Sequence, residues 1–300
     1  MGELRGTVPE LSVRRLCLLL GLSRSWWYER TQPREPDLEA IALRDAIERI
    51  VLEFPGYGYR RVTHALHRTG WRVNAKRVLR VMREESLLCQ LKRRFVRTTD
   101  ARHGLGSYPN LLHDQVVSRP NQAWVADITY IRLPTTFCYL ATILDAWSRR
   151  CVGWELSPRI DTELPLAALE HALHSRRPTP GLIHHSDHGV QYAATRYVER
   201  LEQSGAQISM AASGNVYENA LAESFFATLK REEVYLRDYQ SFAEAEANVA
   251  RFLDDVYNHK RLHSSLGYRP PSEFEARWEN ERDGERFGEG RHDLPLALVR

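Results

Sequence analysis

Three acidic residues stand in contexts where a carboxylate is unusual and could take part in chemistry. Asp127 lies in W-V-A-D-I-T-Y, Asp187 in H-H-S-D-H-G-V-Q-Y, and Glu223 in N-A-L-A-E-S-F-F-A-T-L-K. An ionised side chain among apolar and aromatic residues is costly unless a cation compensates its charge. Mg²⁺ prefers carboxylate oxygens and keeps its remaining positions for water and phosphate. Brought together, the three residues therefore predict a metal site for phosphoryl transfer.

The sequence around the two aspartates predicts where a sheet would place them. Asp127 interrupts an apolar run from Trp124 to Ile131 that favours a buried strand. Asp187 follows a short apolar run and precedes Gly189, as expected for a loop that leaves the end of a strand. Ligands of open α/β sheets bind at such strand ends. Among 39 acidic residues some triplet is always spaced suggestively, so the prediction depends on these contexts and not on spacing alone.

The segment around the glutamate has the pattern of a helix. Residues 217–236 contain no Gly or Pro and carry apolar side chains at helical spacing. On this helix Asn219, Glu223 and Lys230 share one face, because four and seven residues are close to one and two turns. Glu223 can then bind metal while Lys230, about 10 Å along the axis, contacts a DNA phosphate with Asn219 nearby. A solvated Glu–Lys face is the alternative for Lys230.

Four motifs, in this order, resemble the catalytic core of DDE transposases and retroviral integrases, specifically the OrfB-type transposases of the IS-three family of bacterial insertion sequences. They are W-V-A-D-I-T-Y, H-S-D-H-G-x-Q-Y, N-x-Y-E-N-A-x-x-E-S-F-F-x-x-L-K and Y-N-x-x-R-x-H-S-S-L-G-Y-x-P-P. The resemblance runs from about residue 10 to 275, and one departure is Glu218, where the family more often has aspartate. It implies that Asp127, Asp187 and Glu223 are the catalytic triad.

The resemblance also implies a mechanism and partners. Two Mg²⁺ ions, with Mn²⁺ as a substitute, would be held by Asp127 with Asp187 and by Asp127 with Glu223. Water would first free a 3′-OH at the end of the element, and that 3′-OH would then attack another DNA strand. The implied partners are double-stranded DNA at element ends and target, a second copy of the chain or more, and an upstream helix-turn-helix and coiled-coil protein joined by frameshifting. The chain, which begins with Met and lacks heptads at its start, is expected to be the downstream product alone.

The charge distribution predicts where nucleic acid binds. Residues 1–102 carry 21 Lys and Arg against 12 Asp and Glu, whereas the remaining residues carry 21 against 27. Within 56–102 there are 13 basic and 3 acidic residues, an electrostatic footprint for a polyanion. The alternative is a solvated basic face. No run approaches 18 apolar residues, so no membrane span is predicted, and the four scattered cysteines fit reduced thiols. We expect a bacterial cytoplasmic protein that is nucleoid-associated when bound.

Two helical hairpins are predicted in the basic half. In the second, 59–68 and 75–84 are amphipathic helices, with a break at Thr69-Gly70 and Asn74 as N-cap. The first hairpin is weaker, with a helix to Leu20 and Ser23 as the N-cap of the next helix. Basic residues on the outward face of the second hairpin are predicted to bind DNA: Arg60, Arg61, Lys76, Arg77, Arg80 and Arg83.

The predicted fold is an α/β ribonuclease H-like catalytic core, with a mixed five-stranded sheet and flanking helices, preceded by an all-α helix-turn-helix-like region. The resemblance implies this strand order. Core strands are predicted at 122–132, 137–145, 151–156, 181–185 and 206–209, and helices at 162–175, 192–203 and 241–258. The predicted domains are an N-terminal hairpin (1–32), a basic DNA-binding domain (37–97), a linker (98–120), the catalytic core (121–275) and a loose tail (276–300).

Other acidic residues and histidines near the triad were considered as ligands. Asp145 is expected to cap a turn or pair with Arg149 and not to bind metal. His184, His185 and His188 lack the spacing of a zinc-protease helix; any could orient water or phosphate, with His185 and His188 preferred. Two further functions compete with an active transposase: a DNA-binding protein that has lost catalysis, and a metal-dependent nuclease that cuts without joining.

Overall fold

The structure, a computed structural model, describes residues 12–31, 37–89, 108–113, 115–211, 220–287 and 297–298. Its helices are α1 Val13–Leu19, α2 Arg24–Thr31, α3 Leu38–Glu53, α4 Tyr59–Arg68, α5 Ala75–Glu84, α6 Glu163–Arg176, α7 Thr195–Gln203, α8 Ala220–Glu232, α9 Phe242–Arg251 and α10 Pro271–Phe287. Its strands are β1 Val116–Val117, β2 Ala123–Arg132, β3 Phe137–Asp145, β4 Cys151–Ser157, β5 Ile183–Ser186, β6 Gln207–Met210 and β7 Ala297–Leu298. The chain forms two compact units, Met1–Arg49 and Ile50–Arg300.

The first unit contains the weaker predicted hairpin. Helix α1 buries Leu16 and Cys17, and α2 buries Trp27. Ser23 caps α2 as predicted, since its hydroxyl accepts a hydrogen bond from the Trp26 backbone N–H at 3.1 Å. Leu18 and Leu19 are exposed. The first eleven residues lie outside the described residues, and they include Leu11, where the first helix is predicted to begin.

The second predicted hairpin opens the second unit. Helices α4 and α5 bury Val62, Leu66, Val78 and Met82, as the amphipathic pattern predicts. Asn74 is the N-cap of α5, because its Oδ1 accepts the Arg77 backbone N–H at 2.8 Å. Helices α4 and α5 belong to the same compact unit as the sheet, and the domain bounds expected at 37 and 97 stay a prediction. Residues 90–107, including the rest of that basic stretch, lie outside the described part of the chain.

The central sheet has five strands in the order β4-β3-β2-β5-β6. Strands β2, β3 and β4 are antiparallel neighbours, while β5 and β6 run parallel to β2 and to each other. A residue just after the C-terminal end of β5 therefore lies beside the middle of β2. The predicted core strands and helices agree with the observed bounds to within a few residues, and the predicted mixed sheet is confirmed.

Two apolar clusters cover the two faces of the sheet. Trp124 and Ala126 of β2 face α6 and α7, whereas the alternate residue Val125 faces the side covered by α8 and α9. By the same alternation Asp127 lies on the α8 face. Gly153 of β4 permits close packing of α6, because a Cβ there would be 2.3 Å from the Ala168 carbonyl oxygen.

Helix α9 continues into a π-helical segment, Phe252–Tyr257. This segment brings Asn258 against the edge strand β4. The Asn258 side chain accepts the Cys151 backbone N–H at 3.0 Å and donates to the Cys151 carbonyl at 2.9 Å. The amide therefore satisfies backbone groups that an edge strand would otherwise leave unpaired.

The expected loose tail is wrong for residues 276–287, which continue helix α10. Phe274 and Trp278 pack on Trp147, and the buried Glu275 receives two hydrogen bonds from Arg176, at 2.8 and 2.9 Å, and one from Arg150 at 2.8 Å. These charges, together with the Ser148 hydroxyl at 2.7 Å, lower the pKa of Glu275 although burial alone would raise it. The charged composition did not predict this helix, whose first two turns are anchored in the core.

The segment predicted as a linker lies partly on the core. In the expected linker, residues 108–113 and 115–120 lie on the core, with Leu112 and Val117 buried, and β1 pairs with β7.

Asp145 caps the β3–β4 turn as predicted, accepting backbone N–H groups of Trp147 and Ser148 at 3.1 and 2.8 Å. No helix in the described ranges is both long and apolar enough to cross a membrane.

The Glu275 network makes a testable prediction about stability. Glu275→Ala should lower the free energy of unfolding by about 3 kcal/mol, because it leaves two arginines without their buried counter-charge. Glu279→Ala, one turn later on the exposed side of α10, should change it by less than about 0.5 kcal/mol. Urea unfolding of both full-length variants measures the difference, and equal losses would contradict the anchoring of α10 by Glu275.

Candidate active site

Strand β2, the C-terminal end of β5 and helix α8 carry the three acidic residues. Ala126 of β2 pairs with Ser186, the last residue of β5, so Asp127 in β2 and Asp187 just after β5 are the residues that follow this pair. Neighbouring strands lie about 4.8 Å apart, which makes the two aspartates close neighbours. Glu223 lies in the first turn of α8, which packs on the same face as Asp127, and its side chain is exposed.

The pKa of Asp127 depends on the other two carboxylates. Asp127 keeps some solvent contact but is surrounded by protein, and burial together with the charges of Asp187 and Glu223 raises its pKa to about 8. The backbone N–H of Ile128, at 2.7 Å from Asp127 Oδ1, and the charge of Lys230 oppose this shift only in part. Burial and the two other acids thus favour the protonated form of Asp127.

The loop after β5 is tightly formed around Asp187. The Asp187 Oδ1 accepts the backbone N–H of Gly189 at 2.9 Å. A Cβ at position 189 would lie 2.9 Å from that same oxygen and 3.3 Å from the Tyr192 ring. Glycine is therefore required here by close approach, and the turn fixes the direction of the Asp187 carboxylate.

The three carboxylates supply the ligand chemistry that Mg²⁺ requires, since all donors are oxygens and burial with the two other acids raises the pKa of Asp127. The described residues do not form a closed cluster of three or more His, Cys, Asp or Glu side chains around one metal position. Asp187 and Glu223 approach Asp127 from β5 and α8, and residues 212–219, which connect β6 with α8, lie outside the described part of the chain. The three carboxylates fit a divalent metal, because their oxygens are suitable ligands and a cation would offset the repulsion between their charges.

Lys230 lies beside this site and not on a fully solvated face. Its Nζ is 4.9 Å from the centre of the Tyr130 ring, and the side chain is half-buried. Burial lowers the pKa of Lys230, while the charge of Asp127 opposes that shift. Leu229 and Phe225, on the adjacent stripe of α8, are buried as the helical pattern predicts. Asn219, the other residue predicted on this face, lies outside the described residues, as does Glu218.

The predicted DNA-binding arginines and lysine of α4 and α5 fall into two groups. Lys76, Arg80 and Arg83 are exposed on one side of α5, with Arg80 3.9 Å from Glu84, and Arg60 is exposed on α4. Arg77 is half-buried and its backbone N–H serves the Asn74 cap. Arg61 points inward to Glu232 at 3.4 Å, so a DNA contact by Arg61 would require that ion pair to be lost. DNA contact by any of these residues stays a prediction.

The histidines near Asp187 have different environments. His184 is buried with its Nε2 3.0 Å from the Tyr197 hydroxyl, and burial lowers its pKa to about 3, so it stays neutral. His185 is also buried, with Nδ1 2.8 Å from the Ser209 hydroxyl. These two residues belong to the core of β5. His188, on the loop, is the member of the set that retains solvent contact.

Sequence reasoning missed two aromatic residues at the site. Tyr130 supports Lys230, and Tyr192 has a buried hydroxyl whose pKa is raised by burial and by the charges of Tyr197, Asp127 and Asp187. Both tyrosines stand inside motifs that had been recognised, three residues after Asp127 and five after Asp187. The signal was present, but their contacts depend on the packing of α7 and α8 against the sheet.

Comparison with known families agrees with this geometry. Residues 117–216 and 204–271 match two integrase core domain families, and residues 38–95 match an HTH-like domain. Among solved structures, the HTLV-2 integrase catalytic core domain in complex with magnesium is similar, with a TM-score of 0.41, 13% identity, and coverage of 52% of this chain and 97% of that chain.

Two bacterial relatives match most of the chain. It is 37% identical over 246 residues to the transposase for insertion sequence element IS904 of Lactococcus lactis, a match that covers 81% of this chain and 97% of that protein. It is 35% identical over 272 residues to the transposase InsF for insertion sequence IS3A of Escherichia coli, covering 89% of this chain and 94% of that protein. The chain therefore belongs to the family of insertion-sequence transposases with an integrase core domain that includes these two proteins.

Proposed function

We propose that this protein binds the ends of an insertion sequence and catalyses Mg²⁺-dependent cleavage and joining of DNA strands by direct phosphoryl transfer. The observation that carries this proposal is the placement of the three acids: Asp127 and Asp187 follow the paired residues Ala126 and Ser186, and Glu223 lies in the first turn of α8. Burial and the charges of Asp187 and Glu223 together raise the pKa of Asp127. Three carboxylates that act on one another at the edge of a sheet are suited to a divalent cation. Membership of a transposase family supports DNA as the substrate.

Asp127, Asp187 and Glu223 would hold the metal, with two ions and Mn²⁺ as a substitute in our proposal. Mg²⁺, when bound, stabilises negative charge on the phosphate and activates the attacking oxygen. The chain's own residues then position the reaction. The loop at Gly189 fixes Asp187, Asp127 is fixed by the central strand, and Lys230, held over Tyr130, binds the phosphate beside the site. The nucleophile is first water and then the freed 3′-OH.

The proposed partners follow from this reaction. Element ends and target are double-stranded DNA, and the exposed basic residues of α5 are suited to phosphates or the major groove. Because two ends must be processed together, the active form is at least a dimer on DNA. We also propose a frameshift fusion with an upstream helix-turn-helix and coiled-coil protein, and a location in the bacterial cytoplasm on the nucleoid.

One experiment separates this function from its two alternatives. The purified full-length protein is incubated with oligonucleotides that carry the element's ends and with Mg²⁺. Joined products identify a transposase, cut but unjoined DNA identifies a nuclease, and bound but uncut DNA identifies a binding protein without catalysis. The mutually repelling carboxylates favour the first two outcomes over the third, because a protein that only binds DNA gains nothing from them.

The first prediction concerns the metal ligands. Asp127→Asn, Asp187→Asn and Glu223→Gln should each lower the cleavage rate by at least about 100-fold, while end binding changes little, because affinity depends on basic residues elsewhere. Asp238→Asn, at an exposed position beyond α8, is the matched control and should cleave normally. Cleavage at close to the wild-type rate by any one of the three variants would remove that residue from the proposed triad.

The second prediction uses the sign of the Asp127 pKa shift. The pKa is about 8 in the folded protein and about 4 in the unfolded chain, so the unfolded state releases this proton first. The metal-free fold therefore loses stability from this group as pH rises from about 4 to about 8, and the loss is constant above that. Asp127→Asn removes the effect, so its Tm advantage over wild type should grow across this range.

Melting curves in EDTA between pH 4 and 9 measure this advantage, with Asp238→Asn as the control that should show none. Added Mg²⁺ should raise the Tm of the wild-type protein more than that of Asp127→Asn. An advantage of Asp127→Asn that is independent of pH would show that Asp127 is not the group with the raised pKa.

The third prediction concerns Lys230. Because its side chain is half-buried on Tyr130, Lys230→Ala should cost about 1 kcal/mol of stability, more than an exposed lysine would. Joining of pre-cleaved ends should fall at least about tenfold, and Lys230→Glu should be worse because it repels phosphate. Arg231→Ala, the adjacent exposed position on α8, is the control. Normal joining by both Lys230 variants would assign the residue to folding alone.

A further inference from the structure

Helix α4 is docked on the C-terminal part of the catalytic unit through several polar and aromatic contacts. We call this interface the α4 joint; it consists of Gly56, Tyr57, Arg61, His64 and Arg68 on one side and Glu232, Arg261, Leu262, Tyr268 and Glu273 on the other. The buried Tyr57 hydroxyl accepts the Leu262 backbone N–H at 2.7 Å. The His64 ring is stacked on Tyr268 with centroids 3.5 Å apart and planes at 13°.

Glu232 is the centre of the joint. Arg261, with a side chain only 2% exposed, donates two hydrogen bonds to it at 2.7 and 2.8 Å. Burial disfavours the charged form of Arg261, but these bonds and the Glu232 charge raise its pKa. Because Arg261 already neutralises Glu232, Arg61 is not needed as a counter-charge. Its 3.4 Å contact instead links α4 to an existing ion pair.

The chain before α4 also lies directly on this ion pair. A Cβ added to Gly56 would be 2.3 Å from Glu232 Cγ and 2.9 Å from its Cδ. The Glu232 side chain cannot easily move aside, because both of its carboxylate oxygens are held by Arg261. Gly58, two residues later, has open space where a Cβ would lie. The two glycines therefore differ in whether a methyl group would disturb the joint.

The joint connects the two ends of the proposed reaction machinery. Glu232 is the last residue of α8, nine residues and about 14 Å along the axis from Glu223. Helix α4 packs on α5, whose exposed Lys76, Arg80 and Arg83 are the proposed DNA-contact residues. A continuous path of packed elements thus runs from the basic face of α5 through α4 to the helix that carries Glu223.

We infer that the α4 joint is a positioning device that holds α5 at a fixed distance from the catalytic carboxylates and so determines which phosphodiester of a bound end is cleaved. In this inference, which rests on the proposed function, Arg61 is a positioning residue and not a phosphate contact. A DNA-reading element that could swing freely would bind its sequence equally well. It would not present one phosphate to the active site at a defined spacing.

Two matched pairs of full-length variants test the inference: Arg61→Ala against Arg231→Ala, an exposed position of α8 next to Glu232, and Gly56→Ala against Gly58→Ala. End DNA is supplied at saturating concentration with Mg²⁺, and every cut is mapped to the nucleotide. Arg61→Ala and Gly56→Ala should reduce cleavage at the wild-type position at least tenfold and spread the remaining cuts over neighbouring phosphodiesters. Both controls should cut at the wild-type position.

The salt dependence of binding separates positioning from phosphate contact. Arg61→Ala should keep the wild-type slope of log K against log[salt], whereas loss of a phosphate contact lowers the slope by about one. If Arg61→Ala lowers this slope and leaves the cut position unchanged, Arg61 contacts phosphate and the inference is overturned. A uniform loss of cleavage at one unchanged position, in proportion to lost folded protein, would also overturn it by assigning the joint a structural role alone.

Amide hydrogen exchange tests the docking without any need for activity. In the wild-type protein, residues 59–68 and 257–268 should be protected together, and Arg61→Ala and Gly56→Ala should increase exchange in both segments by at least tenfold. Arg231→Ala and Gly58→Ala should leave segment 257–268 unchanged. A wild-type protein that shows this linked protection but cuts no DNA would contradict the proposed function and leave the docking established. Independent exchange of the two segments would contradict the joint itself.

Discussion

The placement of an ionisable carboxyl group in the middle of the central strand is the constraint on which the rest of the catalytic unit depends. Asp127 occupies a position where burial and two other acids raise its pKa to about 8. A fold can keep such a group only if packing elsewhere supplies the missing stability. The two apolar clusters on the faces of the sheet supply it, with Trp124 and Val125 beside Asp127 almost completely buried.

Buried ion networks are the second recurrent feature, and each one ties a C-terminal element to the core. Glu275 joins α10 to α6 and to the β3–β4 turn, Glu232 joins α8 to Arg261, and Glu233 receives Arg237 and Arg251 at 3.0 and 2.9 Å. A buried pair is only weakly stabilising in total, but removing one partner is costly. Such pairs therefore contribute more to the choice of one helix arrangement than to the free energy of unfolding.

Much of the core could be predicted from the sequence because its signals are local. The apolar run around Asp127, the apolar stripe of α8 and the Asn74 and Ser23 caps each depend on neighbouring residues, and all are observed. The triad could be named as candidates for the same reason, with support from the resemblance.

What could not be predicted depends on contacts between distant parts of the chain. Helix α10 has the composition of a solvated tail, and only Glu275 with its arginine partners, about 100 residues earlier, reveals that it is anchored. Arg61 has the sequence context of a DNA-binding residue, yet it lies 171 residues from its partner Glu232. The contact of Lys230 with Tyr130 could not be predicted, because it crosses from helix to sheet.

The π-helical segment Phe252–Tyr257 has a consequence for how this family can change in length. Each residue inserted into an α-helix rotates everything after it by about 100°, and a π-helical turn accommodates one extra residue. Here the extra residue orients Asn258 so that its amide reaches both backbone groups of Cys151. Deletion of one residue from this segment would restore regular helical geometry while turning Asn258 away from the sheet. Single-residue gaps in this short stretch should therefore be selected against.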